Sequence, residues 1–410
     1  MRLQKRNSMN KIKVGIIREG KVPHDKRVPF TPAQCKLILE QFPDVELFIQ
    51  PCEYRCYLDN EYRSAGLQLK EDLSECDILM GIKEVPINDL IPGKKYLFFS
   101  HTIKKQSHNR KLLKAILEKK IQLIDYECLT DDEHNRVIGF GRFAGIIGAY
   151  NGINAYGKRY NLFNLRQAYQ FNSLLELEAE LEKVRLPNLK IIITGGGRVA
   201  NGAIETMGIL KIRKVTPYEF INYSFREPVY VNLHSMDYYK PKDGRPWVHG
   251  AFYEHPEEFD SNFIRFAPVC DMLIHCAFWN PLAAPLFTKE EMKSPAFHIS
   301  VIADVTCDLN GSIPSTTMPS TIDNPFYGYD PVTGTTDGAF EKNTITVMAV
   351  DNLPCELPRE SSDDFGKNLI ERVLPALFQN DDKGIIARAT ITSNSHLTKQ
   401  FSFLEDYVAS

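Results

Sequence analysis

The chain has 410 residues, of which 43% are hydrophobic and 25% are charged, and its formal net charge is −3. This composition is typical of a soluble globular protein of about two or three domains, at roughly 150 residues each. It excludes extensive disorder, which needs low hydrophobicity together with high net charge. Because nucleic acids and anionic membranes select a basic excess, the balanced charge argues against either as the main partner.

The nine cysteines are scattered without a CxxC pair or a Cys/His set at zinc-ligand spacing, so we predict no metal site. Their odd number favours a reducing compartment over a disulfide framework. The basic N-terminus is followed by a short apolar run that contains Lys13, which is not the pattern of a signal peptide. No stretch approaches the ~20 apolar residues that span a bilayer. We therefore expect a cytoplasmic protein.

The first third of the chain alternates between apolar strand patterns and helical patterns. Thr31 is a predicted N-cap, and Pro32 then opens a helix, since proline suits the first helical position. A second, amphipathic helix is predicted over 104–120. Strands that alternate with helices indicate βαβ units and a parallel sheet. The five predicted strands are IKVGII (12–17), VELFIQ (45–50), CDILMGIK (76–83), YLFFS (96–100) and IQLIDYE (121–127).

A second set of such elements follows. Residues 143–163 are apolar with recurrent small residues, at spacings that suit a helix packed closely against another backbone. A helix with a charged face is predicted over 172–185, and LKIIIT (189–194) returns to a strand. The segment 221–263, rich in Tyr, Pro and His, is interpreted as an elaboration outside the core. The two sets predict an α/β fold of two Rossmann-like domains with parallel sheets and a cleft between them.

The strand KIIIT runs directly into the turn GGGRVA, which fits the GxGxxA dinucleotide fingerprint. Its first glycine permits the tight turn, its second lets the backbone approach a pyrophosphate, and the alanine allows close helix–strand packing. The helix N-terminus adds N–H groups and the positive end of a dipole. A glycine-rich turn that binds no nucleotide is the alternative. The predicted cofactor contacts in this turn are Gly195, Gly197, Arg198, Val199 and Ala200.

The sequence slightly favours NADP(H) over NAD(H). A dinucleotide fold usually carries an acidic residue about 20 positions after the glycines, where it binds the ribose 2′-hydroxyl. The predicted second strand, KIRKVTP, has Thr216 near its end instead, and Lys211, Arg213 and Lys214 lie close by in sequence. Without the carboxylate a 2′-phosphate is not repelled, and a basic side chain could hold it. A solvated basic surface is the alternative interpretation of these cations.

Two further predicted strands of this half end in polar loops. DMLIHCAF ends at Ala277 and Phe278, and the strand that begins at Ile302 ends at Asp304, with Asp308 in the following turn. In a doubly wound sheet the carboxyl ends of the strands line the ligand crevice, so we predict that these loops contact the cofactor. Turn or helix-cap carboxylates are the alternative for the two aspartates.

In the first half, polar residues follow buried strands. Arg18 and Arg27 flank the loop after the first strand, Lys83 ends the third, His101 follows the fourth, and Glu127 closes the fifth. Because the carboxyl ends of parallel strands meet at one edge, these side chains are expected to converge. Arginine suits carboxylate ligands, and a lysine of depressed pKa with a histidine can form an acid–base pair near neutral pH. Taken singly, each is more often a surface or structural residue.

These segments resemble the family of saccharopine dehydrogenase (lysine-forming) and lysine–2-oxoglutarate reductase, a branch of the alanine dehydrogenase and transhydrogenase superfamily. The likeness runs from about residue 12 to residue 396. The matching segments are REGKVPHDKRVPFTP, DILMGIKEVP, YLFFSHTIKKQ, IQLIDYE, GFGRFAGIIGAYNG, ITGGGRVANGA, IADVTCDLNGSI, TIDNPFYGYDP, VDNLPCELPRESSDDFG and ITSNSHL.

The resemblance implies a substrate (catalytic) domain formed by 12–138 plus 352–410 and a dinucleotide-binding domain over 139–351. It implies NAD(P)-dependent chemistry that interconverts saccharopine with L-lysine and 2-oxoglutarate. By position, Lys83 would transfer a proton at the secondary amine and His101 one at the carbinolamine. Glu127 would tune their charge state, while Arg18 and Arg27 would bind substrate carboxylates.

Two alternatives stay open. Alanine dehydrogenases share Arg, Lys and His at these places and reductively aminate pyruvate. A non-catalytic nucleotide-binding relative would bind the cofactor without turnover. The expected partner is a small polycarboxylate or amino-acid substrate, with no nucleic acid and no membrane, and the oligomeric state is left open, a homo-oligomer included.

Overall fold

A computed structural model describes residues 11–22 and 24–409. The basic segment on which the signal-peptide expectation rests lies largely outside these residues. The chain divides into two compact units: the first ends at Phe140 and resumes at Pro358, and the second runs from Gly141 to Leu357. In the part of the chain that the structure describes, no helix has both the length and the apolarity to cross a membrane.

The strands and helices follow one another along both units. In chain order the strands are β1 (Ile12–Ile16), β2 (Val45–Ile49), β3 (Gln68–Leu69), β4 (Ile78–Met80), β5 (Lys95–Phe98), β6 (Gln122–Asp125), β7 (Lys190–Thr194), β8 (Arg213–Lys214), β9 (Val229–Leu233), β10 (Tyr239–Pro241), β11 (Phe259–Ser261), β12 (Met272–His275), β13 (Val301–Asp304), β14 (Phe326–Tyr329), β15 (Thr336–Asp337), β16 (Ile345–Met348), β17 (Thr390–Ser393) and β18 (His396–Leu397). The helices are α1 (Pro32–Gln41), α2 (Asp59–Ser64), α3 (Arg110–Glu118), α4 (Gly141–Arg159), α5 (Leu174–Leu181), α6 (Arg198–Ile209), α7 (Pro217–Asn222), α8 (Ser235–Tyr238), α9 (His249–Glu254), α10 (Pro358–Arg372), α11 (Leu374–Phe378), α12 (Ile385–Ala389) and α13 (Glu405–Ala409).

The first unit is built on an eight-stranded sheet in the order β18-β17-β6-β5-β4-β1-β2-β3. The strands from β1 to β6 are parallel, whereas β17 and β18, from the returning C-terminal segment, pair antiparallel at the β6 edge. Neighbouring residues in a strand enter different apolar clusters: Leu97 joins one cluster, and Tyr96 and Phe98 join the other. Because successive side chains point to opposite faces, both faces of this sheet are covered.

The predicted start of α1 is confirmed. The Thr31 hydroxyl accepts the N–H of Gln34, whose side chain accepts the N–H of Thr31, and Pro32 takes the first helical position. This reciprocal capping satisfies two of the N–H groups that a helix end leaves without partners.

The second unit has an eight-stranded sheet in the order β15-β14-β16-β13-β12-β7-β9-β8. Six neighbouring strands, from β16 to β8, are parallel, and β14 and β15 are antiparallel at one edge. Two mostly parallel sheets confirm the expected α/β fold class. The expectation that 221–263 lies outside the core was wrong, because β9 pairs directly with β7 and buries Val229, Val231 and Leu233.

The predicted second strand of this unit was also misplaced. Instead of lying beside β7, it is reduced to the two-residue β8 at the sheet edge, and β9 lies between them. The strand ends early because Thr216 caps α7 and Pro217 occupies its first turn. Proline has no N–H for a sheet ladder and suits a helix start.

Glycines bring α4 and α6 into backbone contact, as the small residues of 143–163 predict. A Cβ on Gly145 would overlap the carbonyl oxygen of Val199 and lie 2.8 Å from the nitrogen of Ala203. On the facing helix, a Cβ on Gly202 would overlap the carbonyl oxygen of Arg142. The two helices can approach this closely only because neither position has a side chain.

Candidate active site and dinucleotide turn

In the first unit, a buried carboxyl group holds the backbone that presents Lys83. The Glu19 side chain accepts the N–H of Ile82 at 2.6 Å and the N–H of Lys83 at 2.8 Å. Glu19 follows β1 and Lys83 follows β4, and these strands are neighbours in the sheet. The hydroxyl of Tyr54 donates to the carbonyl oxygen of Glu19. Glu19 therefore fixes the loop from which the Lys83 side chain extends.

The surroundings of Lys83 favour its neutral form. Burial lowers the pKa of Lys83, and the nearby positive charge of Arg27 lowers it further. Burial also raises the pKa of Glu19 to about 8, with a further contribution from the charge of Asp25, although the two N–H groups act in the opposite direction. A lysine whose pKa is lowered in this way can act as a general base or acid closer to neutral pH.

Arg27 lies in the same neighbourhood and is buried. Its guanidinium binds Asp25 in a bidentate manner, with Nε 2.9 Å from Oδ1 and Nη2 2.5 Å from Oδ2. The guanidinium carbon also lies 4.0 Å from the centre of the Phe140 ring. Stacking and bidentate pairing both orient this planar cation.

The His101 ring lies between two carboxylates. Nδ1 is 3.3 Å from Oε2 of Glu127, and Nε2 is 3.9 Å from Oε1 of Glu84. Burial alone would raise the pKa of Glu127, but the hydrogen bond with His101 and the charges of Lys104 and Arg136 lower it to about 2. Glu127 is thus an anion at neutral pH and lies within hydrogen-bonding distance of the ring.

Glu84 also has a lowered pKa, because the charge of His101 and the hydrogen bond from Lys21 outweigh its burial. The sequence-based selection missed both Glu84 and Glu19. The available signal was position: Glu84 is next to Lys83, and Glu19 is next to Arg18, at the ends of two neighbouring parallel strands.

Arg18 takes a different position from the other predicted residues of this unit. Its guanidinium pairs with Glu71 and donates to the carbonyl oxygen of Pro51 at 3.3 Å, and it is partly exposed. The structure therefore groups Lys83 with Arg27 and groups His101 with Glu127. Arg18 has Glu71 as its ionic partner, and its role as a substrate ligand stays a prediction.

In the second unit, the glycine turn forms an open cradle. Gly195 has a φ of +97°, a conformation that favours glycine, and a Cβ there would lie 3.2 Å from the Cα of Ala277. Gly197 precedes α6, and a Cβ on it would meet no atom within 4 Å. Ala200 is fully buried against the sheet. Open backbone at the start of α6, where Arg198 and Val199 supply N–H groups, fits a pyrophosphate.

The remaining predicted cofactor residues differ in their exposure and in their hydrogen-bond partners. Phe278 is 88% exposed just beyond β12. Asp304 is buried, and its oxygens accept hydrogen bonds from the hydroxyls of Thr306 and Thr316, as a turn-forming carboxylate does. Asp308 lies exposed in the turn that follows. The Thr216 side chain is engaged in the cap of α7. Contacts of these residues with a cofactor stay predictions.

A buried polar network behind the turn was not expected. His275, at the end of β12, contacts the Thr194 hydroxyl through Nδ1 at 2.8 Å and the Ser312 hydroxyl through Nε2 at 2.7 Å. The same Thr194 oxygen accepts the N–H of Cys276 at 3.2 Å. Burial lowers the pKa of His275 to about 3, so the ring is neutral, and it links the ends of β7 and β12 to the loop that contains Ser312.

The fold is similar to that of alanine dehydrogenases and transhydrogenases. Residues 15–147 match the family model described as "Alanine dehydrogenase/PNT, N-terminal domain". A solved L-alanine dehydrogenase superimposes with a TM-score of 0.63 at 14% identity, covering 97% of this chain and 99% of that one. A transhydrogenase from Sinorhizobium meliloti gives 0.56 at 13% identity, covering 94% and 98%. At these identities the likeness concerns the fold.

Other relatives align over most of the chain and have names that refer to a more specific chemistry. The chain is 27% identical to alpha-aminoadipic semialdehyde synthase of Arabidopsis thaliana, over 95% of this chain and 41% of that protein. It is 30% identical to the mitochondrial enzyme of that name from Bos taurus, over 97% and 48%. The chain thus spans less than half the length of these relatives. It is also 25% identical to saccharopine dehydrogenase [NAD(+), L-lysine-forming] of Emericella nidulans, over 88% and 90%. The resemblance to the saccharopine dehydrogenase and lysine–2-oxoglutarate reductase family is thereby confirmed.

Proposed function

We propose that this protein is an NAD(P)-dependent oxidoreductase that interconverts saccharopine with L-lysine and 2-oxoglutarate. The observation that carries the proposal is Lys83, a lysine of lowered pKa that Glu19 presents beside the buried Arg27. The same chain holds a GxGxxA turn with an open backbone cradle. Relatives named for this chemistry align over most of the chain, which further supports the proposal.

The roles follow from charge and position. A nicotinamide cofactor bound at the glycine turn would supply the hydride in the reductive direction and accept it in the oxidative one. Lys83 moves a proton at the substrate's secondary amine, a role that its lowered pKa favours. His101, held by Glu127, moves a proton at the carbinolamine oxygen. The charge of Glu127 stabilises the imidazolium that results.

Substrate binding is assigned to arginines. Saccharopine carries three carboxylates, and a guanidinium binds a carboxylate with two parallel hydrogen bonds. Arg27 is already oriented by Asp25 and Phe140. Arg18 would have to exchange its ion pair with Glu71 for a substrate carboxylate. We assign the first unit to the substrate and the second to the dinucleotide, and we keep the cytoplasmic location as a further prediction.

A substrate panel tests this function. L-lysine with 2-oxoglutarate is offered together with NADPH or NADH, and saccharopine with the oxidised cofactors, across neutral to alkaline pH. We expect NADPH or NADH to be consumed only when both lysine and 2-oxoglutarate are present, and the oxidised cofactors to be reduced when saccharopine is present. We expect NADP(H) to be preferred over NAD(H). No consumption with any of these combinations contradicts the proposal.

Alanine dehydrogenase activity is the second candidate, because the family model at 15–147 and a solved alanine dehydrogenase both match the chain. It predicts turnover with pyruvate and ammonium and none with lysine and 2-oxoglutarate. A nucleotide-binding protein without activity predicts cofactor binding and no turnover in either assay.

A further inference from the structure

We propose that His234 determines the cofactor preference of this protein by binding the 2′-phosphate of NADP(H). The inference rests on the dinucleotide part of the proposed function. The sequence alone indicates the basic residues near Thr216 as ligands of this phosphate. The strand pairing instead favours a residue at a different place in the sheet.

The strand pairing puts His234 beside the glycine turn. In the parallel pair of β7 and β9, Thr194 lies opposite Leu233, and the N–H of Gly195 donates to the carbonyl oxygen of Leu233 at 2.8 Å. The Asn232 side chain also donates to the carbonyl oxygen of Gly195, at 2.8 Å. His234 is therefore the first residue beyond β9, at the level where the turn begins.

This is the position where NAD-binding Rossmann folds carry an acidic residue for the ribose hydroxyls: the end of the strand next to the first one. Here the side chain is an imidazole, which can donate an N–H to a phosphate oxygen. The ring lies against the turn itself, since a Cβ on Gly196 would meet its Cε1 at 2.7 Å and its Nδ1 at 2.8 Å. His234 is exposed, so a ligand seated on the turn can reach it.

The first acidic side chain after His234 in the sequence already has a backbone partner. The Asp237 carboxylate accepts the backbone N–H of His234 at 2.8 Å and so caps the short helix α8. Because this carboxylate is held by the backbone, it is not presented as the strand-end acid of an NAD site would be. We therefore expect the imidazole, and not this carboxylate, to meet an adenosine ribose at the end of β9.

The basic residues after α6, Lys211, Arg213 and Lys214, are less well placed to bind a 2′-phosphate. They belong to β8 and its flanks, and β8 lies two strands from β7, which is about 10 Å across a sheet. Arg213 is also paired with Glu227 at 2.7 Å. Lys214 is exposed and serves as the matched basic control.

The test measures nucleotide binding to the full chain without turnover. NADPH, NADH and 2′,5′-ADP are titrated by fluorescence or calorimetry against the wild type, His234→Ala, His234→Asp and Lys214→Ala. Loss of one charge-assisted hydrogen bond should weaken NADPH and 2′,5′-ADP about tenfold or more in His234→Ala, with NADH changed less than about twofold. His234→Asp should reverse the preference, and Lys214→Ala should leave it unchanged.

An unchanged ratio of NADPH to NADH affinity in both His234 variants overturns the inference, and so does a tenfold loss of NADPH in Lys214→Ala alone. A wild type that binds NADH more tightly than NADPH also overturns it. The outcome is separate from that of the proposed function: a protein that binds NADPH through His234 but turns over no lysine refutes the reaction and supports this inference.

Discussion

The first unit places its two candidate proton carriers, Lys83 and His101, in different surroundings. Lys83 is pushed towards its neutral form by burial and by the charge of Arg27. His101 instead lies between the carboxylates of Glu84 and Glu127. Two groups in such different surroundings can serve different steps of one reaction.

We expect Lys83→Met and His101→Gln each to lower kcat about 10²- to 10⁴-fold, the usual effect of removing a positioned acid or base. Nucleotide binding should be preserved, because the glycine turn belongs to the other unit. Lys111→Met, at an exposed lysine of α3, is the matched control and should keep both its turnover and its NADPH binding. Steady-state kinetics with parallel NADPH titration decides the matter, and full turnover in both variants would refute the assigned roles.

His275 should make the second unit sensitive to acid. Its pKa is about 3 in the fold and about 6.5 in an unfolded chain, so only the unfolded state binds the proton between these values. The contribution of neutral His275 to the unfolding free energy is therefore fully present above about pH 6.5. It is lost as the pH falls towards 3, and the loss at pH 5 is about 2 kcal/mol. Urea unfolding at pH 7 and pH 5, followed by the fluorescence of Trp247 and Trp279, should show a smaller acid loss for His275→Gln. The exposed His396→Gln should behave as the wild type, and an equal loss in all three proteins would contradict the prediction.

Among the elements, the helix pair α4 and α6 depends on two glycines. Gly145→Ala and Gly202→Ala place a methyl group against backbone atoms, which cannot move aside as a flexible side chain can. Each should reduce the unfolding free energy of the second unit by about 3 kcal/mol, the upper part of the range for overpacking. Gly208→Ala lies on α6 as well, but its Cβ meets nothing within 4 Å, so it should be neutral or stabilising by up to about 1 kcal/mol. Similar losses at all three positions would indicate a general effect of alanine instead of the close helix contact.

The strands and helices also show which elements sequence patterns can predict. The strands β1, β4, β5 and β6 formed where apolar runs predicted them, because strands buried on both faces are almost entirely apolar. β9 was missed, since VYVNL is five residues long and stands in a segment of Tyr, Pro and His. Its place beside β7 is decided by pairing with residues about forty positions earlier, which no local pattern records. For the same reason the contact of Glu19 with Lys83 became visible only in the fold.

At the scale of the whole molecule, the first unit is assembled from two distant parts of the chain. The returning segment adds α10 to one apolar cluster and β17 to the sheet edge beside β6. The Thr392 hydroxyl donates to the carbonyl oxygen of Ile121 at 2.8 Å and accepts the N–H of Leu123 at 3.1 Å. The strand that precedes the site residue Glu127 is thus stabilised by a residue about 270 positions away. An intact C-terminal segment is therefore a condition for the candidate active site.

Phe365 is the residue through which this dependence can be measured. It is fully buried on α10, its ring stacks on Phe140 at 4.4 Å, and it meets Tyr126 edge-on at 5.3 Å. Phe365→Ala should cost about 3–5 kcal/mol, as the loss of a buried aromatic ring does. Amide hydrogen exchange should show the loss in β5, β6 and β17, because exchange reports the stability of each region separately.

Both tryptophans lie in the second unit, so their fluorescence supplies an independent measure of that unit during the same unfolding experiment. For Phe365→Ala, we expect the unfolding free energy reported by tryptophan fluorescence to fall by less than the opening free energy measured by amide exchange in β5 and β6. Phe403→Ala, at a ring that is 49% exposed on the same C-terminal segment, is the control and should change neither measure by more than about 0.5 kcal/mol. Unchanged exchange in Phe365→Ala would mean that the returning segment does not stabilise the strands of the candidate site. An equal shift of both measures would mean that the two units unfold as one.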